Sequence, residues 1–405
     1  KEASLMELVL ATRNSDKIRE IEKALKNLPI KILTFKDFSN FPYVEESGKS
    51  LKENALLKAK AIAKFTGKLS LADDSGLEVE YLKGAPGVYS SRFAGENASY
   101  EDNNRKLLSL LKDVPYDKRG ALFRCVIAFA KPEGKYFIVE GACPGKIVFS
   151  PRGRGGFGYD PIFQPEGYKR TFAQLSLEEK NRISHRAKAL SKAREILEKL
   201  IRKGNKFLVG ITGNMGCGKT TVSSFFEREG FKVIYADKIG HQILEEEKVK
   251  EKLLALFGED VLGDNRKVSR EKLRKIVGED KEKLYKLNRL LHPLIKQKIW
   301  EILEGCEDKV IFIEAALIFE ASWDFFMDRI ITVFCSREKQ IERIRKKGFE
   351  PEQIRALLDS QLPQEEKIKK ADFVIQNEKA LKELEMDAKN VLKEILEEVK
   401  IGCKS

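Results

Sequence analysis

A glycine-rich stretch near the middle of the chain constrains the fold more than any other feature of its 405 residues. The apolar run FLVGIT leads into G-x-x-x-x-G-K-T, from Gly213 to Thr220, and the helix-like stretch TTVSSFFERE follows. The glycines let successive backbone N–H groups point inward around a phosphate, and the helix adds its positive N-terminal end. This order predicts the start of a phosphate-binding α/β domain, and the roughly two hundred residues before it are enough for a second domain.

The residue types in this loop predict a nucleotide site that uses magnesium. Lys219 is expected to reach the β and γ phosphates, and the Thr220 hydroxyl to bind Mg²⁺. An ordinary glycine turn is the alternative, but the flanking strand and helix argue against it. The residues predicted to bind ATP here are Gly213, Gly216, Cys217, Gly218, Lys219, Thr220 and Thr221.

Three apolar runs after the loop are typical of further strands of the same sheet. KVIYAD predicts a strand that ends at Asp237, VIFI a strand that delivers Glu314, and RIITVFCS another strand. Ligands of open parallel sheets bind outside the carboxyl ends of the strands, so we expect Asp237 to face the loop and take a proton from an attacking hydroxyl. A helix cap is the alternative role for Asp237.

A cluster of basic residues follows the last of these strands. The helix-like stretch REKQIERIRKK is closed by Gly348, and Pro351 opens the next helix. Cations over a transferred phosphoryl group stabilise its spreading charge, so a mobile basic lid is one interpretation. A solvated helix face is the other.

The segments GITGNMGCGKTTV, VIYADKIGHQIL, LNRLLHPLI, EAALIFE, QIERIRKKG and SQLPQEEKIKKADFVIQN resemble the dephospho-coenzyme A kinase family, within a domain expected to span 206–405. The resemblance implies a P-loop kinase fold with a parallel sheet, a helical acceptor region and a lid. It also implies transfer of the ATP γ-phosphate to the 3'-hydroxyl of dephospho-CoA, with Asp237 as the base. Lys347 stands where the family often has a lid arginine, and Glu314 where aspartate is common. The implied residues are Lys219 and Asp237 for catalysis, His292 and Pro293 for the acceptor, and Lys347 for ATP.

The first strand-like run of the chain, LVLA, leads into small polar residues and a lysine. Thr12, Asn14 and Lys17 fall at the junction with a helix that Ser15 or its neighbour caps. Such a junction can hold a triphosphate without a glycine-rich loop, because a helix N-terminus favours anions. Simple helix capping is the alternative.

Two adjacent aspartates indicate a metal site. The run LSLADDSGLEVEYL predicts an apolar strand that ends at Asp73 and Asp74, with a turn immediately after them. Neighbouring carboxylates repel one another, and Mg²⁺ or a lysine between them relieves the repulsion. Glu46, in an upstream loop, offers a further carboxylate to the metal. An ordinary polar turn is the alternative.

The stretch SPRGRGGFGYDPIF combines glycines with basic and aromatic residues. Glycine lets the backbone approach a planar ligand, Phe157 or Tyr159 can stack on a base, and Asp160 can accept hydrogen bonds. A loop-rich hairpin without a ligand is the alternative.

The stretch SLEEKNRISHRAKALSKAREIL predicts two helices instead of one. A capping box from Ser176 starts the first helix. In an unbroken helix Lys180 and His185 would lie about 140° apart, which suits one ligand poorly. We therefore predict a break, with Ser184 capping a second helix that presents His185 and Arg186 from its first turn. A purely structural histidine is the alternative.

In order, LATRNSDK, EESGKSLKENALLKAKA, ADDSGLEV, GAPGVYSSRFAG, GGFGYDPIF and ISHRAKAL resemble the inosine triphosphate (XTP/dITP) pyrophosphatase family, within a domain expected to span 1–203. The resemblance implies a two-lobed mixed-sheet α/β fold, a homodimer through this domain, and hydrolysis of dITP, ITP and XTP to monophosphate and pyrophosphate. It implies Glu46 and Asp74 as metal ligands and Asp74 as the residue that activates water. Arg13 stands where the family usually has glycine. The implied substrate residues are Thr12, Asn14, Lys17, Ser75, Phe157, Gly158, Tyr159, Asp160, Lys180, His185 and Arg186.

The net charge of +13 lies almost entirely in the first half of the chain. Before Asn205 there are 38 basic and 26 acidic residues (+12), and from Asn205 onward 38 and 37 (+1). A basic half suggests a polyanionic partner or a heat-adapted surface. A nucleic-acid-binding protein is the main rival, yet neither aromatic–basic alternation nor a helix-turn-helix pattern occurs. A GTPase is disfavoured because no N-K-x-D motif occurs, and a nucleotide sensor without turnover is a third alternative.

The cysteine, histidine and hydropathy patterns argue against several other classes of protein. The six cysteines form no C-x-x-C pair and the three histidines have no ligand partners at zinc spacing. Apolar runs are shorter than the roughly 20 residues of a membrane span, and the N-terminus lacks a signal-peptide pattern. We expect a cytoplasmic enzyme of small nucleotides, with no nucleic-acid or membrane partner.

Overall fold

The computed structural model describes residues 5–278, 280–378 and 380–402. The chain divides into two compact units, Lys1–Ile201 and Arg202–Ser405. None of the described helices combines the length and apolar character that crossing a membrane requires.

The described part of the first unit is an α/β fold built on one sheet. Its elements are β1 (Met6–Leu10), α1 (Ser15–Leu25), β2 (Ile30–Leu33), α2 (Leu51–Thr66), β3 (Leu69–Val79), α3 (Tyr100–Leu110), β4 (Gly120–Ala130), β5 (Tyr136–Ile147), β6 (Phe163–Pro165), α4 (Leu177–Ile183) and α5 (His185–Lys203).

The sheet of the first unit is mixed, as predicted. Its strand order is β2-β1-β3-β4-β5-β6, with β1 parallel to both β2 and β3, and the pairs from β3 to β6 antiparallel. Two hydrophobic clusters flank it, one around Val9, Ala55 and Val126 and one around Leu107 and Phe163. The two-lobed shape stays a prediction.

The predicted turn after the paired aspartates is wrong. Asp73 and Asp74 lie inside β3, which stays extended as far as Val79 because ten consecutive residues pair with β4. The parallel partner β1 pairs only as far as Leu71. The two carboxylates therefore lie beyond the end of β1, in mid-strand and not in a turn.

The predicted helix break is confirmed. Ser176 and Glu179 form a reciprocal capping box at the start of α4, which ends at Ile183. Ser184 has extended backbone, and its Oγ accepts a hydrogen bond from the Ala187 N–H in the first turn of α5. His185 and Arg186 are the first residues of α5 and are buried.

The described part of the second unit contains a second sheet and more helices. Its elements are β7 (Phe207–Thr212), α6 (Lys219–Arg228), β8 (Lys232–Tyr235), α7 (Ala236–Ile243), α8 (Glu247–Phe257), α9 (Arg270–Gly278), α10 (Lys281–Glu304), β9 (Val310–Glu314), β10 (Arg329–Phe334), α11 (Arg337–Arg345), α12 (Pro351–Asp359), α13 (Gln364–Lys370), β11 (Phe373–Gln376) and α14 (Leu381–Gly402).

The second sheet is parallel throughout its described strands, in the order β11-β10-β7-β9-β8. Its strands are apolar because helices cover the sheet, and Phe226 stacks on Phe312 at 4.2 Å in the core. The β7 strand lies at the centre, so the loop after it opens at the carboxyl edge of the sheet. The predicted strand from Lys232 to Asp237 is two residues too long, because Asp237 already lies in the first turn of α7.

Candidate active sites

A cavity of about 330 Å³ in the first unit is lined by residues from both hydrophobic clusters. Every residue predicted for the first site lies on its wall, although the roles assigned to them stay predictions. These residues are Thr12, Asn14, Lys17, Glu46, Asp74, Ser75, Phe157, Gly158, Tyr159, Asp160, Lys180, His185 and Arg186.

The polar residues after β1 form the start of α1. Asn14 caps the helix, because its Oδ1 accepts hydrogen bonds from the N–H groups of Asp16 and Lys17 at 2.9 and 3.2 Å. Thr12 Oγ1 in turn accepts from the Asn14 N–H at 3.2 Å. The cap predicted at Ser15 or its neighbour is therefore Asn14, and the helix N-terminus at the cavity wall favours an anionic group.

Three cations surround the fully buried Asp73 carboxylate. Lys17 Nζ lies 3.1 Å and Arg186 Nε 3.3 Å from Asp73 Oδ2, and Lys58 Nζ donates to the Asp73 carbonyl at 2.9 Å. Burial alone would raise the pKa of Asp73, but these cations hold it well below its usual range. Asp73 is thus a permanent anion that fixes the cations beside the cavity.

Lys58 joins the two carboxylates predicted to bind metal. Its Nζ lies 2.6 Å from Glu46 Oε1 and 3.3 Å from Asp74 Oδ1. Burial, together with the negative charge of Glu46, raises the pKa of Asp74 even though Lys58 opposes this shift. Asp74 Oδ2 is buried and has no hydrogen-bond partner within the described residues.

These oxygen atoms suit a hard divalent cation. Carboxylates are the ligands that Mg²⁺ prefers, and Mg²⁺ commonly takes one or two of them and completes its shell with water and phosphate oxygens. No group of three or more His, Cys, Asp or Glu side chains at metal-binding geometry occurs in the described part of the chain. A cation here would therefore share Glu46 and Asp74 with the substrate.

We expect Lys58→Met to destabilise the first unit by about 3 kcal/mol without Mg²⁺, because it leaves buried carboxylates without their shared cation. Mg²⁺ should restore more stability to the variant than to the wild type, since it replaces the lost positive charge. Calorimetry of the full chain with and without Mg²⁺ measures both effects.

Lys52→Met is the matched control, because Lys52 lies on the exposed face of the same helix. It should change stability by less than about 0.5 kcal/mol. Equal Mg²⁺ responses in wild type and Lys58→Met would contradict a cation site at Glu46 and Asp74.

Another part of the cavity wall carries aromatic and buried polar groups. The His185 ring stacks on the Phe123 ring, with the ring centroids 4.5 Å apart and the ring planes at 6° to one another. His185 Nδ1 is buried without a hydrogen-bond partner among the described residues. Burial, then the charges of Arg186 and Lys180, lower the pKa of His185 well below its usual value, so the imidazole is neutral at pH 7. Phe157 is half-buried, and Lys180 Nζ lies 5.0 Å from the centroid of its ring.

Tyr159 and Asp160 are held by the protein itself. The Tyr159 hydroxyl donates to the Ser90 carbonyl at 2.8 Å, and burial raises the Tyr159 pKa. Asp160 Oδ2 accepts from Lys180 Nζ at 2.6 Å and from the Phe157 N–H at 3.0 Å. Of the two predicted stacking residues, Tyr159 belongs to the core, whereas Phe157 is half-buried at the cavity wall, with Lys180 and Arg186 over its ring.

Arg186 and Arg13 both have protein partners. Arg186 donates to Glu20 Oε2 at 2.7 Å and to Ser75 Oγ at 3.2 Å, in addition to its ion pair with Asp73. Arg13 donates to the Phe41 carbonyl at 2.5 Å and lines the cavity. Arg13 thus ties the loop that carries Glu46 to the end of β1.

The glycine-rich loop of the second unit has the backbone that its sequence predicts. Gly213 and Gly218 have φ angles of +143° and +89°, and a Cβ on Gly213 would lie 2.1 Å from the Val333 carbonyl oxygen. Lys219 Nζ turns back over the loop and donates to the carbonyls of Gly213 and Asn214 at 3.0 and 3.3 Å. The loop therefore presents N–H groups and an ammonium on one side, as an anion site requires.

Thr220 and Glu314 form the second candidate metal site. Thr220 Oγ1 donates to Glu314 Oε1 at 2.9 Å, and Glu314 Oε2 is buried with no partner within the described residues. A hydroxyl beside an unpaired carboxylate oxygen fits Mg²⁺ next to a polyphosphate.

The remaining predicted residues of the second unit have no hydrogen bond to the loop among the described residues. Asp237 and Lys347 are exposed, and no hydrogen bond or ion pair joins either to the loop within the part of the chain that the structure describes. His292 is half-buried in α10, and burial, then Lys296, lowers its pKa. Pro293 lies inside the same helix.

Sequence reasoning missed several residues that build the sites. Lys58 lies on the buried face of α2 with Leu51, Asn54, Ala55 and Ile62. Its position within this apolar stripe, at helical spacing, was the one sequence signal that could have predicted a buried, functional lysine. In the second unit, Arg343 was predicted only as one of several basic residues after β10, and it reaches the loop: it donates to the Gly216 carbonyl at 3.2 Å and to the Asn377 carbonyl at 3.3 Å. Asn377 donates to the Cys217 carbonyl at 2.8 Å.

Comparison with known families gives one match for each unit. The Ham1 family model matches residues 8–196, and the dephospho-CoA kinase family model matches residues 207–383. The two matches do not overlap.

Two curated relatives agree with the match of the first unit. A dITP/XTP pyrophosphatase of Desulforamulus reducens is 55% identical over 195 residues, which is 48% of this chain and 97% of that protein. A dITP/XTP pyrophosphatase of Geobacter sulfurreducens is 55% identical over 184 residues, 45% of this chain and 92% of that protein. A solved dephospho-CoA kinase of Campylobacter jejuni is 31% identical, with 47% of this chain and 98% of that one covered and a TM-score of 0.35.

Proposed function

The chain belongs to the Ham1 family in its first unit and to the dephospho-CoA kinase family in its second, and we propose that it is a bifunctional Mg²⁺-dependent enzyme. The first unit hydrolyses dITP, ITP and XTP to monophosphate and pyrophosphate. The second transfers the γ-phosphate of ATP to the 3'-hydroxyl of dephospho-CoA. The observation that best supports the first activity is Asp74 Oδ2, which has no hydrogen-bond partner among the described residues and belongs to a carboxylate that lies near Glu46 and several buried cations.

In the first reaction the chain's own residues orient the triphosphate and move a proton. The N-terminus of α1, with Thr12, Asn14 and Lys17, binds phosphate oxygens. Glu46 and Asp74 would hold Mg²⁺, which would supply positive charge to the phosphates. Asp74 takes the proton of the attacking water, since its carboxylate has a free oxygen at the cavity wall.

Base selection rests on the neutral His185. Hypoxanthine and xanthine carry an acceptor oxygen at C6 where adenine carries an amine, and the imidazole N–H can donate to that oxygen. Arg186 is committed to Asp73, Glu20 and Ser75, so we assign the contact to His185 first. A buried donor left unpaired costs about 1–3 kcal/mol. A discrimination of about a thousandfold therefore needs one or two further donors besides His185, and Arg186 is the next candidate.

In the second reaction the glycine-rich loop and Lys219 bind the ATP phosphates, and Thr220 with Glu314 holds the metal. Asp237 is the base for the acceptor hydroxyl and approaches it when the substrates close the site, because it is exposed at the same sheet edge. His292 and Pro293 belong to the acceptor site, and Arg343 joins Lys347 as a cation near the transferred phosphate.

A panel of two assays tests the proposal. Pyrophosphate release from dITP should exceed release from dATP by about a thousandfold in kcat/KM. ADP formation from ATP should depend on added dephospho-CoA, with the product phosphorylated at the ribose 3' position. Inertness in both assays would overturn the proposal.

The rival nucleic-acid function predicts retention on heparin with a steep salt dependence. We expect no binding to duplex or single-stranded DNA at about 100 mM salt, because the sequence has neither aromatic–basic alternation nor a helix-turn-helix pattern. The cytoplasmic location and the homodimer through the first unit stay predictions, and light scattering of the full chain tests the second.

A further inference from the structure

The aromatic side chains on the wall of the first-unit cavity differ in how freely they can meet a base. Phe123 and Tyr159 are buried, and their polar or stacking partners come from the protein itself, since Phe123 stacks on His185 and the Tyr159 hydroxyl donates to a backbone carbonyl. Phe41 is buried as well. Tyr100, in contrast, lines the cavity and is 46% exposed. Its ring therefore offers apolar surface that a ligand can cover.

Tyr100 lies among the residues predicted to bind the base. Its ring centroid is 6.2 Å from that of Phe157, with the ring planes at 41° to one another. Tyr43 is also exposed on the cavity wall, but it belongs to the loop that carries Glu46, the candidate metal ligand. Tyr100 is thus the exposed aromatic residue that neighbours the predicted base site.

The start of α3 fixes the backbone of Tyr100 against the cavity wall. A reciprocal capping box holds the first turn of this helix, which begins with Tyr100. Asn103 Nδ2 donates to the Ser91 carbonyl at 3.1 Å, and Asn104 Nδ2 donates to the Gly158 carbonyl at 3.0 Å. Ser91 and Gly158 both line the cavity. The helix therefore joins two segments of the wall, and the Tyr100 side chain projects from a fixed position with one part of its ring exposed.

Stacking on a base needs an open ring face. Lys180 Nζ lies 5.0 Å and Arg186 Cζ 5.3 Å from the centroid of the Phe157 ring. A cation over a ring occupies a face that a base would otherwise use. Tyr100 keeps exposed ring surface, so it is better placed than Phe157 to meet the base.

We propose that Tyr100 stacks on the purine base of the bound triphosphate and contributes affinity without selecting among bases. Every base has a π face, so stacking tolerates any base, whereas a hydrogen bond from His185 depends on the group at C6. This inference rests on the proposed pyrophosphatase activity and divides the work of the base site between two residues. Tyr100 holds the base, and His185 distinguishes it.

Tyr100→Ala tests this division by kinetics. We expect KM for dITP to rise about 10- to 100-fold with kcat unchanged, because stacking stabilises the bound substrate and the transition state equally. The kcat/KM for dATP should fall by the same factor, so that the ratio between dITP and dATP stays at its wild-type value. Initial rates of pyrophosphate release from both nucleotides measure these quantities.

Two further variants separate stacking on the base from support of Phe157. Tyr100→Phe keeps the aromatic face and should keep the wild-type KM. Tyr100→Leu keeps apolar bulk beside Phe157 without an aromatic face, and it should raise KM nearly as much as Tyr100→Ala does. A wild-type KM in Tyr100→Leu, or a changed ratio between dITP and dATP in Tyr100→Ala, would overturn the inference, because Tyr100 would then act through the wall and not on the base.

Binding of dIMP to the full chain reports contact with the base without any reaction. Calorimetry should show a dIMP affinity that falls in Tyr100→Ala by the same factor by which KM rises. Tyr81→Ala is the matched control, since Tyr81 is 55% exposed and is not among the described residues that line the cavity. It should leave the affinity and both kinetic constants unchanged.

The same measurements distinguish failure of this inference from failure of the proposed function. A wild-type chain that neither binds dIMP nor releases pyrophosphate from dITP would overturn both. An active wild type with an unchanged dIMP affinity in Tyr100→Ala would overturn the stacking role of Tyr100 alone.

Discussion

Lys219→Ala should abolish phosphate transfer to dephospho-CoA and leave pyrophosphate release from dITP at the wild-type rate. Lys219 Nζ reaches over the loop to the carbonyls of Gly213 and Asn214, so it lies where the polyphosphate must bind. Removing one preorganised cation from a site of developing charge costs about 3–4 kcal/mol, or on the order of 10³-fold in kcat. Coupled assays for ADP and for pyrophosphate on the same preparation measure both activities.

The loss of the kinase activity alone would show that the two sites work independently. Lys219 and Asp74 belong to two compact units with separate sheets, so a folded Lys219→Ala protein has no physical reason to lose the first activity. Lys248→Ala, on the exposed face of α8, is the matched control and should retain both activities. Loss of both activities in a Lys219→Ala protein with a normal circular dichroism spectrum would refute the independence of the sites.

Local patterns predicted the features that depend on a few neighbouring residues. The glycine-rich loop, the break at Ser184 and the opening of α12 by Pro351 each depend on capping, φ angles or a missing N–H, which are properties of adjacent residues. The mixed and parallel sheets followed from the family resemblances and were confirmed.

Features set by distant partners were predicted less well. The segment Asp73-Asp74-Ser75-Gly76 has the composition of a turn, yet pairing with β4, fifty residues later, keeps it extended. The cations around Asp73 come from α1, α2 and α5. Nothing in the spacing of these residues along the chain indicates that their side chains converge.

Helical phase decided which basic residue reaches the loop of the second unit. Arg343 and Lys347 lie in the same basic segment, but α11 ends at Arg345 and Lys347 falls beyond it, exposed. Arg343 lies on the face of α11 that contacts Gly216 and Asn377. Composition alone could not separate the two residues, because the difference depends on where the helix ends and on which face Arg343 lies.

Asp74→Asn should reduce pyrophosphate release from dITP by on the order of 10³-fold and leave kinase turnover unchanged. The amide keeps the shape of the side chain but can neither take the proton of water nor bind a cation as an anion, and general-base catalysis alone contributes about 10²–10⁴-fold. A sensor without turnover would show no change. The pKa of Asp74 is raised in the folded protein, so its ionised form opposes folding at pH 7, and the variant should be at least as stable as the wild type without Mg²⁺.

Asp73→Asn is the control for Asp74→Asn, because it shows whether the loss of activity is specific to Asp74. The Asp73 pKa is held low by Lys17, Arg186 and Lys58, so its ionised form supports folding, and this stability is present at pH 7 and lost as the pH falls toward the lowered folded-state pKa. Neutralising Asp73 removes the buried carboxylate that Lys17 and Arg186 share. Lys17 is then left without an ion pair among the described residues, while Arg186 keeps Glu20, and the first unit should lose about 3 kcal/mol of stability at pH 7. Two adjacent carboxylates in one strand should thus give opposite outcomes, since Asp73 supports the fold and Asp74 the reaction. Equal losses of stability in the two variants, with activity retained by Asp74→Asn, would place the reacting carboxylate elsewhere.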